Sequence, residues 1–86
     1  MSVYVVIATG APLDSEVARA FDDQSRSKAA EGVWFVKSSR LSSSDVVKDL
    51  GIGMDTKSGI VVSAQYYDGV GPSDLVEKLV RWRNES

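Results

Sequence analysis

The chain contains no cysteine and no histidine. The first absence excludes a disulfide staple and all thiolate chemistry. The second removes the commonest metal ligand and the commonest general base, so no Ser-His pair can activate a serine. Most hydrolase and zinc-site functions go with them. Long apolar runs are also missing: none approaches the ~20 residues that span a bilayer. VYVVIATGAP follows the first Met directly and is too short and too weakly flanked for a secretory signal. The expectation is a soluble, cytoplasmic protein. Charge of one sign is lacking as well, with 12 acids against 10 bases and a net charge of -2. Nothing here attracts a polyanion in general, which disfavours nucleic acid as a partner, although a local basic patch stays open. A chain of 86 residues has room for a single domain over residues 1–86 and buries only about 60 to 65 percent of its unfolded surface. Without a staple, such a domain is expected to gain stability by pairing with a second copy.

What is present is a regular alternation of apolar segments. Val3 to Thr9, VYVVIAT, is nearly all apolar and β-branched and predicts a central strand buried on both faces. Gly10 and Pro12 end it. Asp14 or Ser15 then offers a cap for a helix of about three turns, in which Val17, Ala20 and Phe21 share one face and Glu16 suits the amino-terminal dipole. Gln24 to Glu31, QSRSKAAE, has no period and is read as a short polar edge strand, the alternative being a frayed helix end. GVWFVKS is a strand, with Trp34 and Val36 on one face and Val33 and Phe35 on the other.

The serines that follow are explained as turn and cap residues. Ser42, Ser43 and Ser44 precede Asp45, Val46, Val47 and Leu50, where hydroxyls accept from the unpaired N–H groups of a first helical turn, and Gly51 fits the left-handed position that closes a two-turn helix. After the loop IGMDTK, the strand Gly59 to Tyr67 alternates Ile60, Val62, Ala64 and Tyr66 against Val61, Ser63, Gln65 and Tyr67. DGVGP is a turn. It lacks both phosphate-loop patterns, and Asp68 and Asp74 repel phosphate. Ser73 to Arg83 carries Leu75, Val76, Leu79, Val80 and Trp82 as a wide apolar stripe that docks on the sheet. The fold class expected is α+β, a two-layer ferredoxin-like sandwich ordered strand, helix, short strand, strand, helix, strand, with a carboxyl-terminal helix, or a three-stranded sheet if the edge strand is absent. The first and third strands are expected as parallel neighbours. Val5, Ile7, Phe35, Val62, Leu75 and Leu79 are expected to form one core.

With VYVVIATGAP, VWFVKSS, a serine-capped helix, SGIVVSAQY and DLVEKLVRW in this order, the chain resembles the SinR-like proteins. These are small ferredoxin-like proteins grouped with the CRISPR-associated integration nucleases and the VapD ribonucleases. The resemblance spans nearly the whole chain and implies paired subunits. In the nuclease members an aspartate at the end of the first strand holds a divalent metal between subunits. The matching stretch here is Ile7, Ala8, Thr9 and Gly10, which has no carboxylate, and a hard cation needs oxygen ligands that one threonine does not replace.

No catalytic, cofactor-binding or metal-binding residue is therefore assigned. Two surfaces are candidates. Parallel first and third strands would bring Thr9 and Gly10 beside Lys37, Ser38, Ser39 and Arg40 as a corner for an anion or a partner. Against it, lysine and arginine beside serine are ordinary surface composition. Val61, Ser63, Gln65 and Tyr67 would form a dimer face. Trp34, Trp82, Tyr66 and Tyr67 could stack on bases, but the spacing of the two tryptophans is that of packed side chains, and Tyr67 and Gln65 are the better candidates for exposure. The function expected is a non-catalytic, homodimeric protein-interaction module. The alternative is a metal-dependent nuclease of the resembled group, using Asp14, Asp55 or Asp68 in an atypical arrangement.

Overall fold

The computed structural model describes residues 1–85. The elements are β1 (Ser2–Ala8), α1 (Asp14–Ala20), a 3-10 turn (Asp23–Ser25), β2 (Arg26–Ala30), β3 (Val33–Ser38), α2 (Ser43–Leu50), β4 (Gly59–Ala64) and α3 (Ser73–Glu85). The four strands form one sheet in the order β2-β3-β1-β4. Every neighbouring pair is antiparallel, with Val5 opposite Phe35 on one side and opposite Val62 on the other. The edge strand over 26–30 is thus present. The first and third strands are neighbours, as expected, but antiparallel rather than parallel. The crossover through α1 makes β2 run parallel to β1, and the turn at Glu31–Gly32, with Gly32 at φ 77°, reverses the chain into β3, so the strand that lands beside β1 points the other way.

Strand alternation then decides which residues meet. Tyr4 and Val6 of β1 and Val36 of β3 share one face with Leu13, Val17 and Phe21 from the α1 region and Val46 and Leu50 of α2, and all are buried. Ala8, Trp34, Ile52 and Val61 pack around this cluster. The core is therefore the Tyr4–Val6 face, and the expected core group is corrected: Val5, Ile7 and Phe35 lie on the opposite face and are half-buried, while Val62 is 46% exposed. Among the helices of the described residues, α3 is the one that reaches that second face, with the loop that leads to it. Its buried residues Leu75, Lys78 and Trp82 fall at i, i+3 and i+7, a stripe along one side of the helix.

The helix ends follow local chemistry. Ser42 is the N-cap of α2, its hydroxyl accepting from Asp45 N at 3.3 Å, and Gly51 closes the helix in the left-handed conformation at φ 71°. The serine-rich segment is thus a strand-to-helix joint. Helix α1 has seven residues, about two turns rather than three, and Leu13 precedes it with no side-chain cap. Asp14 is not a cap. Its carboxylate accepts from Trp34 Nε1 at 2.9 Å and from Lys28 Nζ at 3.0 Å, tying α1 to β3 and β2.

Candidate interaction surface

The antiparallel register separates the residues of the expected anion corner. Ser2 lies opposite Ser38 and Ile7 opposite Val33, so Thr9 and Gly10 stand at one end of the sheet and Lys37, Ser38, Ser39 and Arg40 at the other. Thr9 and Gly10 adjoin Ser58 instead: Thr9 Oγ1 donates to Ser58 Oγ at 3.0 Å, and a Cβ on Gly10 would come within 2.8 Å of the same hydroxyl. At the far end, both cations are already neutralised. Lys37 pairs with Glu85 at 2.8 Å, and Arg40 forms two bonds of 2.9 Å to Asp49 while its carbonyl accepts from Tyr4 Oη at 2.8 Å. The Ser38 hydroxyl accepts from Arg40 N at 3.1 Å, and Ser39 is exposed. No corner is assembled.

The acids are likewise dispersed. The Trp34 indole, and then Lys28, hold the Asp14 carboxyl below its ordinary value of 3.8. Asp55 sits in the turn before β4 at φ 54°, and Asp68 Oδ1 accepts from Gly69 N at 2.9 Å. Among the described residues no three histidine, cysteine, aspartate or glutamate side chains are grouped so as to hold a metal ion.

The expected dimer face is also rearranged. Val61 packs against the helix-covered core, and Ser63, two residues on, shares its face. Gln65 and Tyr67 lie beyond the end of β4, and Tyr67 is half-buried with its hydroxyl donating to Leu79 O at 3.5 Å. The exposed apolar residues have the other parity: Ile60 is 55% exposed and Val62 46%. The register places Ile60, Ile7 and Val33 in one row across β4, β1 and β3, and Val62, Val5 and Phe35 in another. An apolar strip crosses three strands of the sheet on the face that α3 covers only in part.

The reason for partial cover lies in how α3 is held. Ser27 Oγ donates to Asp74 at 2.9 Å, Lys78 Nζ donates to Asp23 O at 2.7 Å and Arg26 O at 2.8 Å, and Trp82 Nε1 donates to Gln24 O at 3.0 Å. These bonds tie the helix to β2 and to the 3-10 turn before it. On the β1–β4 half Val3 is buried and Val5 and Ile7 are half-buried, while Ile60 and Val62 stay exposed. Between α3 and the loop that leads to it lies a crevice of about 250 Å³ lined by Phe35, Tyr67, Val70, Leu75, Leu79 and Arg83 among others, continuous with the strip through Phe35. Val70 and Val80 at its rim are exposed.

Reading the sequence missed Ile60 and Val62 because Ile60, Val61 and Val62 are all apolar, so alternation cannot say which parity the helices cover. A usable signal was present in composition: GIVVSAQYY has no charge. No helix among the described residues is long and apolar enough to cross a membrane. No family model, curated protein or solved structure matches the chain.

Proposed function

We propose that this chain is a non-catalytic, homodimeric protein-interaction module of the cytoplasm, with a ferredoxin-like fold and kinship to the SinR-like and VapD proteins. The observation that carries the reading is the apolar strip of half-buried Val5, Ile7 and Val33 and exposed Ile60 and Val62 beside α3, where the buried polar side chains of the described residues are all satisfied. An uncovered apolar sheet face of this kind marks a site of protein association. The strand order β2-β3-β1-β4, with α1 and α2 on one face, supports the ferredoxin-like assignment, since a split β-α-β pair repeated once has that arrangement. The dispersal of Asp14, Asp55 and Asp68 supports a binding role over the nuclease one.

Light scattering over a micromolar concentration range tests the reading. A two-chain mass that falls to one chain in Ile60→Glu is expected, because a charge buried without a partner opposes association. A one-chain mass at every concentration overturns it. Cleavage of RNA or DNA that requires magnesium or manganese and is lost in Asp55→Asn or Asp68→Asn would instead establish the nuclease.

A further inference from the structure

The strand at one end of the sheet, β4, is a hydrogen-bonding edge whose pattern fits itself. Thr9 N donates to Ser58 O at 3.2 Å. By antiparallel alternation the hydrogen-bonded pairs between β1 and β4 are then Ile7–Ile60, Val5–Val62 and Val3–Ala64 within the observed register. The backbone N–H and C=O groups of the intervening residues Gly59, Val61 and Ser63 point outward from the sheet. An open edge of this kind recruits another strand unless it is blunted.

The opposite edge is blunted and this one is not. Strand β2 carries Arg26 and Lys28, has an irregularity between Lys28 and Ala30, and has its outward Arg26 carbonyl occupied by Lys78. Strand β4 has no charge and no proline from Gly59 to Tyr67, and its pairing with β1 runs without a register shift.

Resting on the homodimer reading above, we infer that two copies join by antiparallel pairing of β4 with β4, centred on Val61, to make one continuous eight-stranded sheet. In this register Val61 lies opposite Val61 of the second copy, and Gly59 lies opposite its Ser63. All three outward residues then sit in hydrogen-bonded pairs, and none is left unmatched on either chain. On the open face Ile60 comes opposite Val62 of the second copy in a non-hydrogen-bonded pair, where side chains are closest. The two strips of Ile7, Ile60, Val5 and Val62 become one. A specific interface buries roughly 800 Å² per partner. The strand ladder alone is smaller than that, and the cross-strand contacts between Ile60 and Val62 of the two copies, exposed by 55% and 46% in the single chain, add apolar burial to it. A two-fold closure also consumes both open edges, so the assembly stops at two chains.

The absence of native cysteine makes a disulfide test unambiguous. The chain carrying Ile60→Cys is mixed with the chain carrying Val62→Cys and oxidised. Opposed Cα atoms in a non-hydrogen-bonded pair are about 4.5 Å apart, within disulfide reach, whereas two copies of Cys at position 60 would be about 8 Å apart and out of reach. A covalent two-chain species in the mixture, and in neither chain alone, is expected. In parallel, Ser63→Pro removes an outward N–H that β1 does not use. Its mass in light scattering is expected to fall to one chain with the far-ultraviolet circular dichroism retained. A two-chain mass with cross-linking absent from the mixture, or equal in the single chains, overturns this register and leaves the homodimer standing. A one-chain mass for the unaltered protein overturns both.

Discussion

Asp14 shows how one carboxylate holds three elements together. It accepts from an indole on β3 and an ammonium on β2 while standing at the first residue of α1. Hydrogen bonds from Trp34 and Lys28 stabilise the charged form, so its pKa lies below the ordinary 3.8. Asp74, Glu16 and Glu85 are lowered too, chiefly by bonds from Ser27, from the Glu16 backbone and from Lys37. The sign is that of a depressed acid: the unfolded chain takes up protons first, so the stabilisation is complete above the ordinary carboxyl range and is lost as pH falls through the lowered values. We expect a melting temperature that is flat between about pH 5.5 and 8, where no histidine titrates, and that falls below about pH 4. Asp14→Asn should melt lower at neutral pH and lose less on acidification, as a thermal scan at both pH values would show.

Lys78 is the second residue whose role is structural. It is buried, and its ammonium serves the carbonyls of Asp23 and Arg26 at the start of the β2 edge. Lys78→Met keeps the stem and removes the donors, leaving two carbonyls without their partner. A loss of about 1 to 3 kcal/mol in urea unfolding is expected. A change below about 0.5 kcal/mol would show that water replaces the ammonium without cost.

At the scale of elements, the two sheet faces differ in completeness. The face under α1 and α2 is closed, and Leu50 on α2 is fully buried there. Leu50→Ala should therefore cost about 2 to 5 kcal/mol through the cavity it leaves. Leu79 on α3 is only half-buried beside an existing crevice, so Leu79→Ala should cost less, on the order of 1 kcal/mol. Denaturant midpoints of the two variants, measured side by side, give the comparison. Equal losses would mean that α3 is as much a part of the core as α2. Buried Leu75 and Trp82 anchor α3, and the polar bonds of Lys78, Trp82 and Ser27 fix its position over β2 rather than over the middle of the sheet.

For the whole molecule, the open strip and the uncharged β4 edge lie on the same side of the sheet order, and the proposed pairing satisfies the edge and joins the two strips across it. If the folded state is stabilised by association, its apparent stability depends on concentration. The melting temperature should then rise across a hundredfold increase in protein concentration for the unaltered chain and stay constant for Ser63→Pro. A constant value for both would separate folding from association.

Much of the element plan was legible from local chemistry. VYVVIAT has no stable alternative to a buried strand, Ser42 and Gly51 mark the ends of a helix through groups within three or four residues of them, and the stripe of Leu75, Leu79 and Trp82 repeats at helical spacing. Local hydrogen bonding and side-chain period are properties of the segment itself. The pairing directions, the closed face and the partners of the charged residues were not legible, because each depends on residues distant in sequence. Val5 and Val6, like Val61 and Val62, are alike as residues, and only the positions of α1 and α2 decide which of them is core. Thr9 and Arg40 could be placed together on a parallel sheet, and only the reversal at Gly32 sends them to opposite ends. Asp14 satisfied every local rule for a helix cap until Trp34, twenty positions away, claimed its carboxylate.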